Sequence, residues 1–387
     1  MTAALLITVL LFLCYGILLL WYRRGWRSLP APGRPAAQPG TRISVIIPAR
    51  NEEQYIGACL ESILGNSYPH HLYEIIVVND HSTDTTAGIV AAADPARVKL
   101  IHLADHVSGV QNSYKKLAIS VAVQQASGEL IVCTDADCVV PPGWLQEMAT
   151  LYAGTQPVFI AAPVAISHEN SFIEIFQSLD FMTLQGITGA SVQLRVHSMC
   201  NGANLSYSRA AFYEVNGFEG IDNIASGDDM LLMHKLYQRY PGKVRFLKSK
   251  DAIVTTAPVQ GIRGFFRQRI RWASKAGHYE DKRIFTVLLL VYLFNVMMLV
   301  LPFFALRCNC QLSIINYPCS VIECWGILLL LKTITELFFL YPVARFFSKT
   351  KLLYWFPLMQ PFHILYTVIA GWLGTFGTYQ WKDRRVK

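Results

Sequence analysis

The sequence predicts an α/β domain on a Rossmann-like, mainly parallel sheet, held between membrane-spanning helices. Three observations lead there. Apolar, β-branched runs alternate with helical patterns through the middle of the chain; uncharged stretches of membrane length flank that middle; and charge is segregated between the parts. Of the 387 residues, 53% are hydrophobic, too large a share for soluble domains alone. The net charge of +8 divides unevenly: residues 1–41 carry four basic and no acidic side chains, residues 42–256 carry 14 basic and 21 acidic, and residues 257–387 carry 16 basic and 5 acidic. An acidic middle argues against nucleic acid as a partner, because phosphate would have to dock on like charge, whereas basic flanks suit membrane lipids.

Residues 3–22 are uncharged, and twenty residues at about 1.5 Å each span a hydrocarbon core of about 30 Å. No basic residue precedes this stretch and Arg23, Arg24 and Arg27 follow it, so residues 1–24 read as a transmembrane helix and not as a cleaved signal peptide. The positive-inside bias then puts the N-terminus outside and the middle of the chain in the cytoplasm, as an integral protein of a plasma (inner) membrane. Residues 25–41, rich in Pro, Ala and Gly, form a linker. Residues 284–387 hold about three further spans: 284–306, 321–341, and an apolar, aromatic stretch 352–381 with Pro357 and Pro361 near its start. Three crossings would leave the basic tail Lys382, Arg384, Arg385 and Lys387 outside, so either 352–381 re-enters or the tail breaks the charge rule. Lys332 and Glu336 stand one helical turn apart, where they can neutralise each other inside a bundle. Cys308, Cys310, Cys319 and Cys324 cluster around one loop, where disulfides could form if it is extracytoplasmic; their spacing fits no common zinc pattern.

Within the domain, residues 42–256, strands are expected at 43–49, 74–80, 98–103 and 129–135. After the first, Asn51 is a candidate cap for a helix with the apolar face Ile56, Leu60, Ile63 and Leu64 and Gly65 at its end; Ser82 and Thr83 are cap candidates after the second. Ligands of such sheets bind beyond the carboxyl ends of the strands, where the sequence puts Arg50, Asn51 and Glu52, then Asn79 and Asp80, then Asp135 and Asp137. Two carboxylates one residue apart at the end of a buried strand are costly unless a cation joins them, and hard oxygen ligands suit Mg²⁺ or Mn²⁺ bridging a diphosphate. Cys133 and Cys138 beside them read as packing residues. No glycine-rich phosphate loop occurs. Further on, Gly227, Asp228 and Asp229 lead into a helical pattern, where paired acids also complement a helix dipole. Residues 257–283, with Gln268, Arg269, Arg271 and Trp272 among interleaved Ile and Phe, describe amphipathic interfacial helices.

The order of these motifs resembles membrane-integrated family 2 glycosyltransferases of the GT-A fold, the group of processive β-glycan synthases that make hyaluronan, cellulose, chitin and poly-N-acetylglucosamine. The resemblance rests on Asp80 in VVNDHS, the Asp-x-Asp of Asp135 and Asp137, the acidic pair after Gly227, and Gln268, Arg271 and Trp272 as Gln-x-x-Arg-Trp. It implies that Ala49, Glu52 and Asp80 hold a nucleoside, usually uridine. Lys115 lies near the diphosphate, Asp135 and Asp137 carry the metal, and Asp229, with Asp228 beside it, is the catalytic base. Gln268, Arg271 and Trp272 close over the donor diphosphate and shape the acceptor site, and CNGAN at 200–204 resembles an acceptor-side loop. The family commonly has an aromatic residue near the uracil where this chain has Arg50.

The expected activity is metal-dependent, inverting hexosyl transfer from a nucleotide sugar, a UDP-sugar in the first instance, to a polysaccharide or other membrane-proximal acceptor. The alternative within the class is a glycolipid synthase adding one sugar to a ceramide- or diacylglycerol-type lipid. From another class, a non-enzymatic scaffold or transporter built on Lys332 and Glu336 would have no need of Asp135, Asp137 and Asp229 together.

Overall fold

The computed structural model describes the chain apart from residues 1, 32, 34–39, 108–111, 197–198, 225–226, 275–281, 309–310, 315–316, 377–378, 382–383 and 387. The elements, in order, are α1 (Thr2–Ser28), β1 (Ile43–Ala49), α2 (Ile56–Leu64), β2 (Tyr73–Asn79), α3 (Thr86–Ala92), β3 (Val98–His102), α4 (Tyr114–Gln125), β4 (Leu130–Cys133) and β5 (Cys138–Val139). Then come α5 (Trp144–Thr155), β6 (Phe159–Ala161), β7 (Val164–Ile166), α6 (Phe172–Leu194), β8 (Leu205–Ser208), α7 (Arg209–Glu214), α8 (Met230–Arg239), β9 (Val244–Phe246) and β10 (Val254–Thr256). Last come α9 (Gly261–Ala273), α10 (Lys282–Cys308), α11 (Val321–Phe346) and α12 (Phe356–Phe376), with short antiparallel strand pairs Gln311–Ile314/Tyr317–Ser320 after α10 and Tyr379–Trp381/Arg384–Val386 after α12. They make two compact units. One comprises Met1–Arg27, Glu169–Gly186 and Val259–Lys387, and the other Ser28–His168 and Ile187–Pro258.

The second unit is α/β. Its main sheet has seven strands in the order β3-β2-β1-β4-β8-β6-β9, and β3, β2, β1 and β4 run parallel because helices connect them. The β1–β2 register runs from Ile43 opposite Tyr73 to Ala49 opposite Asn79, so the two strands end level. β8 enters antiparallel to both β4 and β6. Val45, Ile46, Ile47, Ile75, Ile76, Val77, Val78, Ile131 and Val132 are fully buried, the near-continuous apolar runs that a sheet covered on both faces requires. Helix α2 buries Ile56, Cys59, Leu60 and Ile63 and ends at Gly65. The expected caps are not used: α2 starts after Tyr55 and α3 after Thr85, neither with a side-chain cap. Asn51 instead accepts a hydrogen bond from the Thr83 amide at 2.8 Å, and Ser82 Oγ accepts one from the Asn51 amide at 3.0 Å. The two post-strand loops satisfy each other across the parallel edge, which sequence spacing along a single helix does not reveal.

The first unit is helical. Among the described residues, four of its helical stretches are long and apolar enough to cross a membrane: Ala3–Ser28, Lys282–Phe303, Val321–Phe346 and Thr350–Gly374. The last begins as a 3₁₀ turn over Thr350–Trp355 and continues as α12 through Pro361. Leu6, Ile7, Leu10, Leu13 and Ile17 of α1 are more than half exposed, an apolar outer surface suited to lipid. Lys332 and Glu336 pair as expected, at 2.6 Å, and two further residues join them: Lys332 also donates to Gln360 at 2.8 Å, and the Tyr15 hydroxyl and the Gln360 amide donate to Glu336. Cys310, Lys382, Lys387 and residues 32 and 34–39 of the 25–41 linker lie outside the described residues, as do the side chains of Cys308 and Cys319, and α1 continues through Ser28 into the segment expected as linker. Cys324 is a buried free thiol.

Candidate active site

The site forms at the carboxyl ends of β1, β2 and β4, where parallel strands leave unpaired backbone and short polar loops. Asp80, 4% exposed, follows β2 and donates its amide to the Ala49 carbonyl at 2.8 Å. Arg50 Nη1 donates to the Asp80 carbonyl at 3.1 Å and lies 4.0 Å from its carboxylate, while His81 Nδ1 lies 2.9 Å from Asp80 Oδ1. Glu52 donates its amide to Thr86 Oγ1 at 2.8 Å, and its carbonyl accepts the amides of Tyr55 and Ile56. Glu53 and Asp84 add reciprocal bonds to Thr85 and to the Glu53 amide. Ala49, Glu52 and Asp80 thus belong to one hydrogen-bonded double loop, with Arg50 between them.

A second cluster forms around Lys115, from the first turn of α4. Its Nζ lies 2.8 Å from Asp135 Oδ1 and 3.1 Å from Asp228 Oδ2. Burial alone would lower the ammonium pKa; the carboxylates of Asp135 and Asp228 reverse this and hold it well above the usual lysine range. Gly202 makes room for the contact, since a Cβ there would stand 3.1 Å from Lys115 Nζ and 3.4 Å from Asp228 Oδ2. The Gly202 amide donates to Asp229 Oδ2 at 3.1 Å, and Asp229 Oδ1 caps α8 through the Met230 amide at 2.7 Å. Asp229 is therefore both a helix cap and a fixed carboxylate. Gly227 turns the chain into this position with φ +84°, a conformation that side chains rarely adopt, and a Cβ there would press on Leu231 at 3.0 Å.

Asp135 and Asp137 are both part-exposed at the end of the fully buried β4. Burial pushes the neighbouring Cys59 and Cys133 thiols up to about 12, with Asp137 and Asp135 adding to the first, so these cysteines pack as neutral thiols. Among the described residues no three His, Cys, Asp or Glu side chains converge as a metal cage. Two part-exposed carboxylates at a strand end still fit Mg²⁺ or Mn²⁺, which protein sites commonly hold through one or two carboxylates plus substrate phosphate.

Three contributors were not legible in the sequence. Lys116 is 1% exposed and donates to the carbonyls of Ile221 and Ile224 at 2.5 and 2.6 Å, holding the segment that leads to Gly227. Asn204, fully buried, donates to the carbonyls of Pro163 and Ala252 and accepts from Trp144 Nε1, so the last residue of CNGAN is a structural hub. Arg269, expected on the polar face of an interfacial helix, is 5% exposed and paired with Asp180 at 2.6 Å. Adjacent lysines at a helix start could have flagged Lys116; nothing in the local pattern marks the other two. Gln268, Arg271 and Trp272 lie on α9 of the helical unit, each half-buried, and Lys115, Asp135, Asp137, Asp228 and Asp229 lie in the α/β unit.

Residues 44–215 match the glycosyl transferase family 2 domain, and residues 130–374 match glycosyl transferase family group 2. The chain belongs to the family 2 glycosyltransferases. It is 25% identical over 238 residues to a poly-beta-1,6-N-acetyl-D-glucosamine synthase of Staphylococcus epidermidis, covering 61% of this chain and 54% of that one. It is also 25% identical over 259 residues to the beta-monoglucosyldiacylglycerol synthase of Synechocystis sp., covering 64% and 50%. With the glycosyltransferase AglE of Haloferax volcanii it shares 30% identity over 128 residues, 33% of this chain and 41% of that one. The match spans about half the length of these curated relatives. Among solved structures, a mannosyltransferase of Pyrobaculum calidifontis in complex with GDP-Man and Mn²⁺ has the same fold, with a TM-score of 0.58 and 18% identity over 96% of this chain and 98% of that one.

Proposed function

We propose that the chain is an inverting membrane glycosyltransferase that takes a sugar from a nucleotide sugar, a UDP-sugar first among candidates, and gives it to a growing polysaccharide or another acceptor at the membrane surface. The observation that carries this reading is the meeting of Lys115, Asp135, Asp228 and Asp229 at one end of the sheet. The catalytic unit faces the cytoplasm in a plasma (inner) membrane, following Arg23, Arg24 and Arg27 in the last turns of α1.

In this reading Ala49, Glu52 and Asp80 hold the nucleoside, and Asp135 with Asp137 hold Mn²⁺ or Mg²⁺. Bound there, the ion neutralises charge developing on the leaving diphosphate. Lys115 supplies a cation beside it and Arg271 another. The acceptor hydroxyl oxygen bonds to the anomeric carbon as the bond to the diphosphate breaks. The nucleoside diphosphate departs with the electron pair, and the hydroxyl proton passes to Asp229. The two backbone amides on Asp229 hold its carboxylate in a fixed orientation for that transfer. Gln268 and Trp272 shape the acceptor side.

The glycolipid synthase among the relatives keeps single addition to a lipid as the second reading. The deciding experiment incubates the purified, lipid-reconstituted protein with labelled UDP- and GDP-sugars and Mn²⁺ or Mg²⁺. Polymer too large for organic extraction supports glycan synthesis, and a single extractable addition supports the lipid acceptor. No transfer or hydrolysis from any donor sinks both.

A further inference from the structure

We infer that Arg269, together with its buried partner Asp180, is a positioning residue that sets Gln268 and Trp272 for transfer. Arg269 sits between those two residues of the Gln-x-x-Arg-Trp motif in space as well as in sequence. Its Nη1 donates to Gln268 Oε1 at 2.9 Å, and its guanidinium carbon stands 4.2 Å from the centre of the Trp272 ring and 4.8 Å from that of Phe265. Its Nη2 reaches Asp180 on α6 at 2.6 Å, and the Tyr366 hydroxyl of α12 donates to the other Asp180 oxygen. One planar group thus contacts four side chains, two of them of the motif.

Burying a guanidinium and a carboxylate, each 5% exposed, is costly and is commonly no better for stability than apolar packing. A lysine would neutralise Asp180 equally well. Only arginine presents a flat face to an indole while its fork bonds in two further directions. The surroundings are stiff: Phe181 lies 6.0 Å from Trp272, and Phe176, Phe265, Phe362 and Tyr366 pack mainly edge to face. The pair therefore fixes the rotamers of Gln268 and Trp272 from a frame made by α6, α9 and α12.

The inference rests on the transferase reading for its kinetic consequence, and its test separates the two. Arg269→Lys keeps the charge opposite Asp180 and removes the stacked fork, and Asp180→Asn keeps the volume and removes the countercharge. Arg269→Lys is expected to elute as monodisperse protein with a Tm close to that of the parent chain, whereas Asp180→Asn, which leaves Arg269 buried without its countercharge, is expected to lower Tm and is read per amount of folded protein. Their kcat should fall by about 10²-fold, as for an ångström-scale misplacement, while KM for the nucleotide sugar, which the other unit binds, stays within about twofold. Wild-type kcat in Arg269→Lys, or a loss no larger than the loss of folded protein, overturns the inference. The second readout needs no turnover: in protein carrying 5-fluorotryptophan, the resonance that disappears in Trp272→Phe is expected to shift or broaden in Arg269→Lys. If the parent chain transfers no sugar, the transferase reading fails, and an unmoved Trp272 resonance still overturns the positioning role.

Discussion

The two units bury charge in opposite ways. In the α/β unit, Lys115 is 22% and Asp135 35% exposed, and one ammonium is shared by two carboxylates at the mouth of the sheet. In the helical unit, Lys332 is fully buried and meets Glu336 and Gln360, with Tyr15 completing the set. The first arrangement leaves acidic oxygens that a cation or a diphosphate-bound metal can engage. The second is enclosed and ties α1, α11 and α12 together. Ion pairs of similar length therefore do different work, and surplus charge with partial exposure, not distance, separates a site from a clamp.

The sharpest way to break this contrast is at Asp229. Asp229→Asn should cost about 10² to 10⁴-fold in transfer while nucleotide affinity stays near that of the parent, measured by turnover and by calorimetric titration. Equal loss of both would make Asp229 a helix cap alone. On the other side, Lys332→Met leaves Glu336 buried without its countercharge and should cost about 3–5 kcal/mol, seen as a lower Tm in detergent. Lys332→Met combined with Glu336→Leu should recover most of that loss; a double variant as unstable as the single one would show that the network is more than a clamp.

Asp137→Asn should weaken nucleotide binding by roughly 10 to 100-fold with Mn²⁺ present and hardly at all with a chelator. Equal affinities in both conditions would remove Asp137 from the metal. Asn204→Ala leaves two buried carbonyls and the Trp144 indole without their partner and should cost about 1–3 kcal/mol. The smallest effect concerns Glu74, whose carboxylate accepts from Ser44 and from the Ser127 amide and hydroxyl. Burial opposes its charge, yet those bonds hold its pKa below the usual glutamate value. A depressed carboxylate stabilises the fold above its unfolded pKa and loses that contribution as pH falls through the folded one. Glu74→Gln should therefore narrow the Tm difference from the parent only under acid conditions below the ordinary glutamate range, by no more than about 1 kcal/mol for a half-exposed group.

Much of this molecule was legible as local pattern. Continuous β-branched runs mark strands buried on both faces; twenty uncharged residues mark a helix long enough to span; and Asp135, Asp137, Asp228 and Asp229, each motif weak alone, stand out by their order along the chain with Gln268, Arg271 and Trp272. The helix caps were misread because Asn51, Ser82 and Thr83 satisfy one another between loops 30 residues apart, and a cap rule looks only along one helix. Arg269 was misread for a related reason. On a helical wheel it is one more basic residue of an interfacial face, and only the return of α6 and α12 supplies the Asp180 and Tyr366 that bury it.

What the sequence determined alone was the class: sheet, spans, acidic site and family, all set by periodicity, length and motif order within short windows. The tertiary structure decided which charges are open and which are closed. Whether a lysine is shared by part-exposed carboxylates or enclosed among buried partners depends on side chains brought from distant segments, as Lys115 meets Asp228 and Lys332 meets Gln360. Such pairings follow from the packing of whole elements, whose apolar faces fix their positions while their polar residues take whatever partners that packing supplies.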